Sequence, residues 1–128
     1  KKRYTALLEG LFDNREEKGF IDLPLALDYL NRPMQKVDYN EGKAAQTFYE
    51  VVDTDLEKNR TKVHFYPRTG RTHQLRVHAA HEQGLNIPIV GDDIYGQRDE
   101  RLHLHADFIE FLHPVTNKTM TFSVKAPF

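Results

Sequence analysis

Arginine, histidine and tyrosine dominate the chemistry available to this sequence. Between Lys58 and His81 stand six Lys or Arg and four His, and none of the nineteen Asp and Glu residues. In a chain of net charge −1 that exclusion of acids leaves one cationic surface. Such a surface suits a polyanion, because phosphate binding draws on clustered Lys and Arg. His and Tyr interleaved with the arginines add rings that stack on unpaired bases, as recognition of single-stranded RNA requires. Taken singly, Arg68, Arg71 and the nearby lysines read as a solvated face; only as a group do they point to a polyanion.

Arg76 differs from these. Ala79 and Ala80 stand three and four positions on, where helical side chains meet, so small neighbours leave its guanidinium room. A buried Arg left unpaired costs several kcal/mol of desolvation, so it needs a carboxylate or a phosphate. No acid lies within one turn, Glu82 being six positions on, so the anion comes from elsewhere. Two readings stand: a core salt bridge to some Asp of this chain, or contact with a functional anion.

Seven His raise the question of a metal. His78-x-x-His81 and His103-x-His105 could each supply two ligands, but neither a His-Glu-x-x-His motif nor any Cys supports them, and no metal is expected. His103 and His105 alternate with Leu102 and Leu104, so a strand with one polar face explains them. Gly91-Asp92-Asp93-Ile94-Tyr95-Gly96 lacks the spaced ligands of a calcium loop and reads as a tight turn bounded by glycines. No glycine-rich phosphate loop, Ser nucleophile elbow or nucleotide fingerprint is present.

The elements that must position these residues are a sheet and one helix. Lys2–Gly10 reads as a short strand with Tyr4 near its start. Asp13–Gly19 is a charged connection. Phe20–Leu30 is apolar but broken by Pro24, which favours a short strand or turn over a long helix. Arg32–Ala45 has no period and several turn formers; it reads as a loop that could lie against a partner. Gln46–Asp53 and Thr61–Arg68 are rich in β-branched and aromatic residues and form an antiparallel hairpin through Thr54–Arg60. Phe108–His113 and Thr119–Lys125 form another, with Met120, Phe122 and Val124 on one face and Pro114 and Asn117 in the turn. The helix is expected from Thr72, as N-cap, to about Gln83, with Gly84 as its stop. Leu75 and Ala79 share one side and Val77 lies roughly opposite, so the helix is buried on several sides. Strands flanking a central helix give an α+β fold, mainly antiparallel.

A chain of 128 residues fits a single domain, and its ordinary composition excludes disorder and collagen-like structure. The absence of Cys suits a reducing compartment. No apolar run approaches the ~20 residues of a membrane span, and no signal peptide is visible. A cytoplasmic monomer without membrane attachment is expected. The chain opens with Lys directly in strand-like sequence, which suggests a piece of something longer.

The run Gly70-Arg71-Thr72-His73-Gln74-Leu75-Arg76-Val77-His78 resembles the signature of the large-ribosomal-subunit branch of the RNA pseudouridine synthases. So do Pro88-Ile89-Val90-Gly91-Asp92, Tyr95-Gly96, Arg101-Leu102-His103-Leu104-His105-Ala106 and His113-Pro114. The opening Lys2-Arg3-Tyr4-Thr5-Ala6 is similar to the family's K-x-Y-x-A strand. Arg32–Val37 and Gly42–Thr47 resemble the member whose substrates are a 23S rRNA hairpin and a tRNA anticodon stem-loop.

The resemblance implies an RNA isomerase needing no cofactor, acting on 23S rRNA and tRNA stem-loops. It implies that Tyr4 stacks on the target base and helps proton chemistry at C5. Arg76 would pair with the catalytic Asp and hold it ionised, Leu75 would line the base pocket, and Arg68, Arg71, His73 and Gln74 would face the RNA. The Asp starts as a nucleophile, the glycosidic bond breaks, the base turns, and C5 rejoins the sugar. The uridine must leave its stack to be reached.

One departure is large. The family's catalytic Asp sits in an H-R-L-D motif ahead of the K-x-Y-x-A strand, and no such motif occurs here. Residues 1–128 are therefore expected to be the C-terminal portion of a catalytic domain, inactive alone, with the Asp upstream of Lys1. A milder departure is a slightly longer His81–Ile87 stretch. The rival readings are a non-catalytic RNA-binding module, and a structural or protein-interaction domain with Arg76 in a core salt bridge.

Overall fold

The structure is a computed structural model and describes residues 1–128. Alternation of small or β-branched apolar residues with polar ones builds the sheet. In β6 (Arg60–Pro67) Thr61, Val63 and Phe65 are buried, while Lys62, His64 and Tyr66 point to the opposite face. β6 pairs on one side with β5 (Gln46–Asp55) and on the other with β1 (Lys2–Leu8). Then β2 (Lys18–Asp22), β7 (Leu104–Leu112) and β8 (Thr119–Ser123) complete a six-stranded sheet of order β2-β5-β6-β1-β7-β8. All its pairings are antiparallel. The expected α+β class, mainly antiparallel with one buried helix, is what forms.

One face of the sheet carries the core. Tyr4 lies opposite Phe65, and Ala6 opposite Val63. Against this face pack Leu75 and Ala79 of the helix α1 (Gln74–Ala80) and then Leu85, Ile87 and Ile89. Burying side chains of this size stabilises by about 1.5–3 kcal/mol each for the larger ones. The other face keeps Arg3, Thr5 and His64. There Asp107, 6% exposed at an irregularity of β7, accepts from Arg3 Nε at 3.0 Å and Thr5 Oγ1 at 2.7 Å.

Two expectations are corrected. The helix is shorter at both ends than Thr72–Gln83: its N-terminal boundary is His73, in the left-handed region with φ 55°, and it ends at Ala80. Past it the chain folds back, with the N–H groups of Leu85 and Ile87 donating to the carbonyls of His78 and Ala79. Gly84 sits in that fold, where a Cβ would lie 2.0 Å from the His78 carbonyl oxygen. The apolar side chains that follow are thereby delivered to the core, which a longer helix would have turned away. The second correction is in Arg32–Ala45, which is not wholly loop. Its β4 (Gln35–Val37) pairs antiparallel with β3 (Leu25–Leu27), and a 3-10 turn (Tyr29–Asn31) lies between them. Leu25 pairs with Val37 across this small ribbon.

Candidate active site

Gln74 sets the start of the helix. Its amide oxygen accepts from the Arg71 N–H at 3.0 Å and from Thr69 Oγ1 at 2.7 Å. Its Nε2 donates to the Gln46 carbonyl at 2.9 Å and to Thr47 Oγ1 at 3.0 Å. The side chain is 4% exposed, so the expectation that Gln74 faces RNA is corrected. It is an internal tie between β5, the Gly70 turn and the helix, consistent with the need to pair buried amide groups.

The helix then presents Leu75 inward and Arg76 sideways. Leu75 is 7% exposed and belongs to the same apolar cluster against which Tyr4 packs. Arg76 meets a carboxylate of this chain. Its Nε donates to Asp92 Oδ2 at 3.0 Å and its Nη2 to Oδ1 at 2.6 Å, while Asp93 lies 3.5 Å from Nη2. The side chain of Asp92 is fully buried. Asp92 Oδ1 also accepts from the N–H groups of Ile94 and Tyr95. Burial alone would push this carboxyl up, but the Arg76 guanidinium and the Tyr95 and Ile94 N–H groups outweigh it and hold it below the ordinary range. The same pair raises Arg76 above its usual value. The anion sought for Arg76 thus comes from the Gly91–Gly96 turn, sixteen residues on in sequence.

Tyr95 completes the cluster. Its ring lies 5.5 Å from the Arg76 guanidinium carbon. Its hydroxyl accepts from the Gln35 N–H at 2.8 Å and stands 2.7 Å from His73 Nδ1. Burial and the nearby Arg76 lower the basicity of His73, which favours a neutral ring that can accept the Tyr95 hydroxyl proton at Nδ1. One turn therefore links the β3–β4 ribbon, the N-terminal end of the helix and Arg76. Asp92 and Tyr95 were missed as site residues. The available signal was a pair of Asp and a Tyr held between glycines, which sequence reading assigned to the turn alone.

The cationic window does not form one surface. Arg60 pairs with Asp99 and Lys62 Nζ donates to the Phe128 carbonyl, both toward the start of β6. Arg68 and Arg71 lie beyond its other end, about eight residues and roughly 26 Å of extended strand away. His64 is on the face away from the helix, and His78 is buried. Sequence adjacency groups these residues; the strand separates them. What remains together is Arg68, Arg71 and His73, with Arg71 Nε donating to the Ala44 carbonyl at 2.8 Å. Beside them a cleft of about 570 Å³ runs between Gly70–Thr72 and the β3–β4 ribbon, lined by Lys36, Lys43 and Arg71 and also by Asp38 and Glu41.

His78 uses both ring nitrogens internally, toward Thr47 Oγ1 and the Leu23 carbonyl. No group of three or more His, Asp or Glu side chains is arranged to hold a metal ion. No helix is long and apolar enough to cross a membrane.

Comparison with known proteins gives a consistent picture. The family model described as RNA pseudouridylate synthase matches residues 1–81. The dual-specificity RNA pseudouridine synthase RluA of Haemophilus ducreyi is 44% identical, the match spanning 100% of this chain and 59% of that protein. The RluA of Salmonella typhi is 44% identical over 100% of this chain and 58% of its own length. The chain thus spans under two thirds of these relatives. The solved structure of human RNA pseudouridylate synthase domain containing 1 superposes with a TM-score of 0.80 at 29% identity, over 99% of this chain and 55% of that one.

Proposed function

Because the chain belongs to the RNA pseudouridylate synthase family, we propose that the protein containing it isomerises specific uridines of structured RNA to pseudouridine. The observation that supports this best is the grouping of Tyr4 and Leu75 in one apolar cluster, with Arg76 next to Leu75 in the helix and held by Asp92. In this reading residues 1–128 are the C-terminal portion of the catalytic domain, and the nucleophilic Asp lies on a segment ahead of Lys1. The substrates are stem-loops of 23S rRNA and tRNA, as the resemblance carried by Arg32–Val37 and Gly42–Thr47 implies, and the protein acts as a cytoplasmic monomer.

The chemistry divides among few groups. The upstream carboxylate attacks C1′ as the C1′–N1 bond breaks, the base turns over Leu75, and C5 then bonds to C1′ as the carboxylate leaves. N1 gains a proton and C5 loses one, so the isomerisation is redox-neutral. The ring of Tyr4 stacks on the base and its hydroxyl serves the proton at C5. Arg76 keeps the nucleophile ionised by a charge-assisted pair away from water. Arg68, Arg71 and His73 hold the flanking phosphates and bases.

The test is tritium release from uridine labelled at C5 in RNA stem-loops, run on the full-length protein and on residues 1–128 in parallel. Release by the full-length protein alone is expected. Release by the 128-residue chain would overturn the assignment of the nucleophile to an upstream segment. The closed Arg76–Asp92 pair also suits a second reading, an RNA-binding module without catalysis. Salt-sensitive stem-loop binding without tritium release from the full-length protein would favour that reading.

A further inference from the structure

Arg76 has five N–H donors in a rigid planar fork, and one edge of that fork is already committed. Asp92 takes Nε and Nη2 side-on, and Asp93 approaches Nη2 as well. No protein group is hydrogen-bonded to Nη1. Three further features keep the guanidinium from rotating. Asp92 is fully buried, its Oδ1 is fixed by the Ile94 and Tyr95 N–H groups, and the Tyr95 ring lies beside the guanidinium. Tyr95 is itself fixed through its hydroxyl to Gln35 and His73.

We propose that Asp92 is a positioning residue of the isomerase: it holds Arg76 by the Nε–Nη2 edge so that the Nη1 edge is offered to the nucleophilic carboxylate. This deepens the functional reading above and rests on it. Two carboxylates would then share one arginine, with distinct tasks. The buried Asp92 orients it, and the upstream carboxylate receives its free edge. Without Asp92 the guanidinium keeps its charge but loses its aim, and Arg76 can turn to solvent at its 16% exposed side. Misplacing a catalytic group by about 1 Å can cost on the order of a hundredfold in rate.

The test uses the full-length protein and RNA stem-loops labelled at C5. Asp92→Asn retains an oxygen for the Ile94 and Tyr95 N–H groups and removes the charge that holds Arg76. The expected result is a loss of kcat of about tenfold to a hundredfold, with KM for RNA changed less than about threefold. The acid limb of the kcat profile should also move to higher pH, because a less well-held Arg76 stabilises the ionised nucleophile less. A purely structural role would lower the rate equally at every pH. In an Arg76→Lys background Asp92→Asn should cost nothing further, since it acts only through the arginine. Should the Asn variant not fold, Asp92→Ser, whose hydroxyl can still accept from those N–H groups, is read through the same cycle. Full additivity of the two substitutions, or an unmoved acid limb, would overturn the proposal. Absence of tritium release from the wild-type protein would instead overturn the functional reading on which it rests.

Discussion

His78 accepts a hydrogen bond from Thr47 Oγ1 through Nδ1 at 2.9 Å and donates through Nε2 to the Leu23 carbonyl at 3.0 Å. The roles follow from the partners: a carbonyl oxygen only accepts, so Nε2 carries the proton and the neutral ring accepts at Nδ1. Thr47 in turn accepts from Gln74 Nε2. A chain of three buried polar side chains therefore joins helix, sheet and the Leu23 backbone, and every donor in it has an acceptor.

This arrangement makes stability depend on pH. Burial lowers the basicity of His78, and the Leu23 carbonyl only partly offsets it. The unfolded state, with an imidazole pKa near about 6.5, then binds a proton before the folded state does. Stability is fully present above that value and is lost as pH falls from about 6.5 toward the lower folded pKa. Burial also depresses His64 and His73, which add in the same sense. Urea midpoints measured on the 128-residue chain should fall between about pH 7.5 and pH 5.5, and fall less in His78→Gln. A midpoint as high at the lower pH would refute the buried neutral imidazole.

Thr47→Val tests the same network from its centre. The substitution conserves shape but leaves Nδ1 of His78 without a donor and one proton of the Gln74 amide without an acceptor. Stranding buried polar groups in this way costs about 1–3 kcal/mol. Thr47→Ser keeps the hydroxyl and should cost less. Thr47→Val destabilising no more than Thr47→Ser, in urea unfolding, would show that the two hydrogen bonds contribute no more than the packing of the Thr47 methyl.

The strands of the main sheet were legible because their signal is local. Val63 and Phe65 alternate with polar residues, and Met120 and Phe122 do likewise. What escaped reading was non-local. Gln35-Lys36-Val37 has no strand signature of its own and is a strand only because Leu25–Leu27 pairs with it. Gly84 looks like a helix stop in the sequence, yet the helix ends at Ala80 and Gly84 marks the point where the returning chain crosses the His78 carbonyl. That the anion for Arg76 comes from outside its own helical turn was legible, and a core salt bridge to an Asp of this chain was one of the two readings. No local rule, however, connects residue 76 to residue 92. The cationic window was legible as composition but not as geometry, since an extended strand carries its two ends apart.

Gly91 shows how tightly the Asp92 turn is specified. Its φ is 82°, a region that L side chains enter at a cost of about 1–2 kcal/mol. A Cβ there would also lie 1.7 Å from the Arg101 carbonyl oxygen, which is backbone and cannot swing aside. Gly91→Ala should therefore destabilise the chain by about 2 kcal/mol or more, because strain and clash add. The shift also moves Asp92, so the Nε–H of Arg76 should exchange with solvent faster by nuclear magnetic resonance. An unchanged unfolding midpoint would mean that the turn relaxes freely, and that it is not the rigid seat described for Arg76.

Tyr4→Phe tests whether binding and turnover separate in the full-length protein. The Tyr4 ring packs against the core cluster beside Phe65 and Leu75, so the aromatic body is fixed by the sheet whatever the hydroxyl does. Tyr4→Phe keeps that packing and the face on which a base can stack, and removes only the group assigned to the proton at C5. Loss of a positioned proton-transfer group costs about a hundredfold to ten-thousandfold in rate, whereas loss of one hydroxyl from a stacking surface changes affinity little. Tritium release at saturating RNA should accordingly fall by about two orders of magnitude or more, with RNA affinity within about threefold of wild type. Parallel losses in affinity and turnover would assign the hydroxyl to RNA binding, and an undiminished rate would remove Tyr4 from the chemistry altogether.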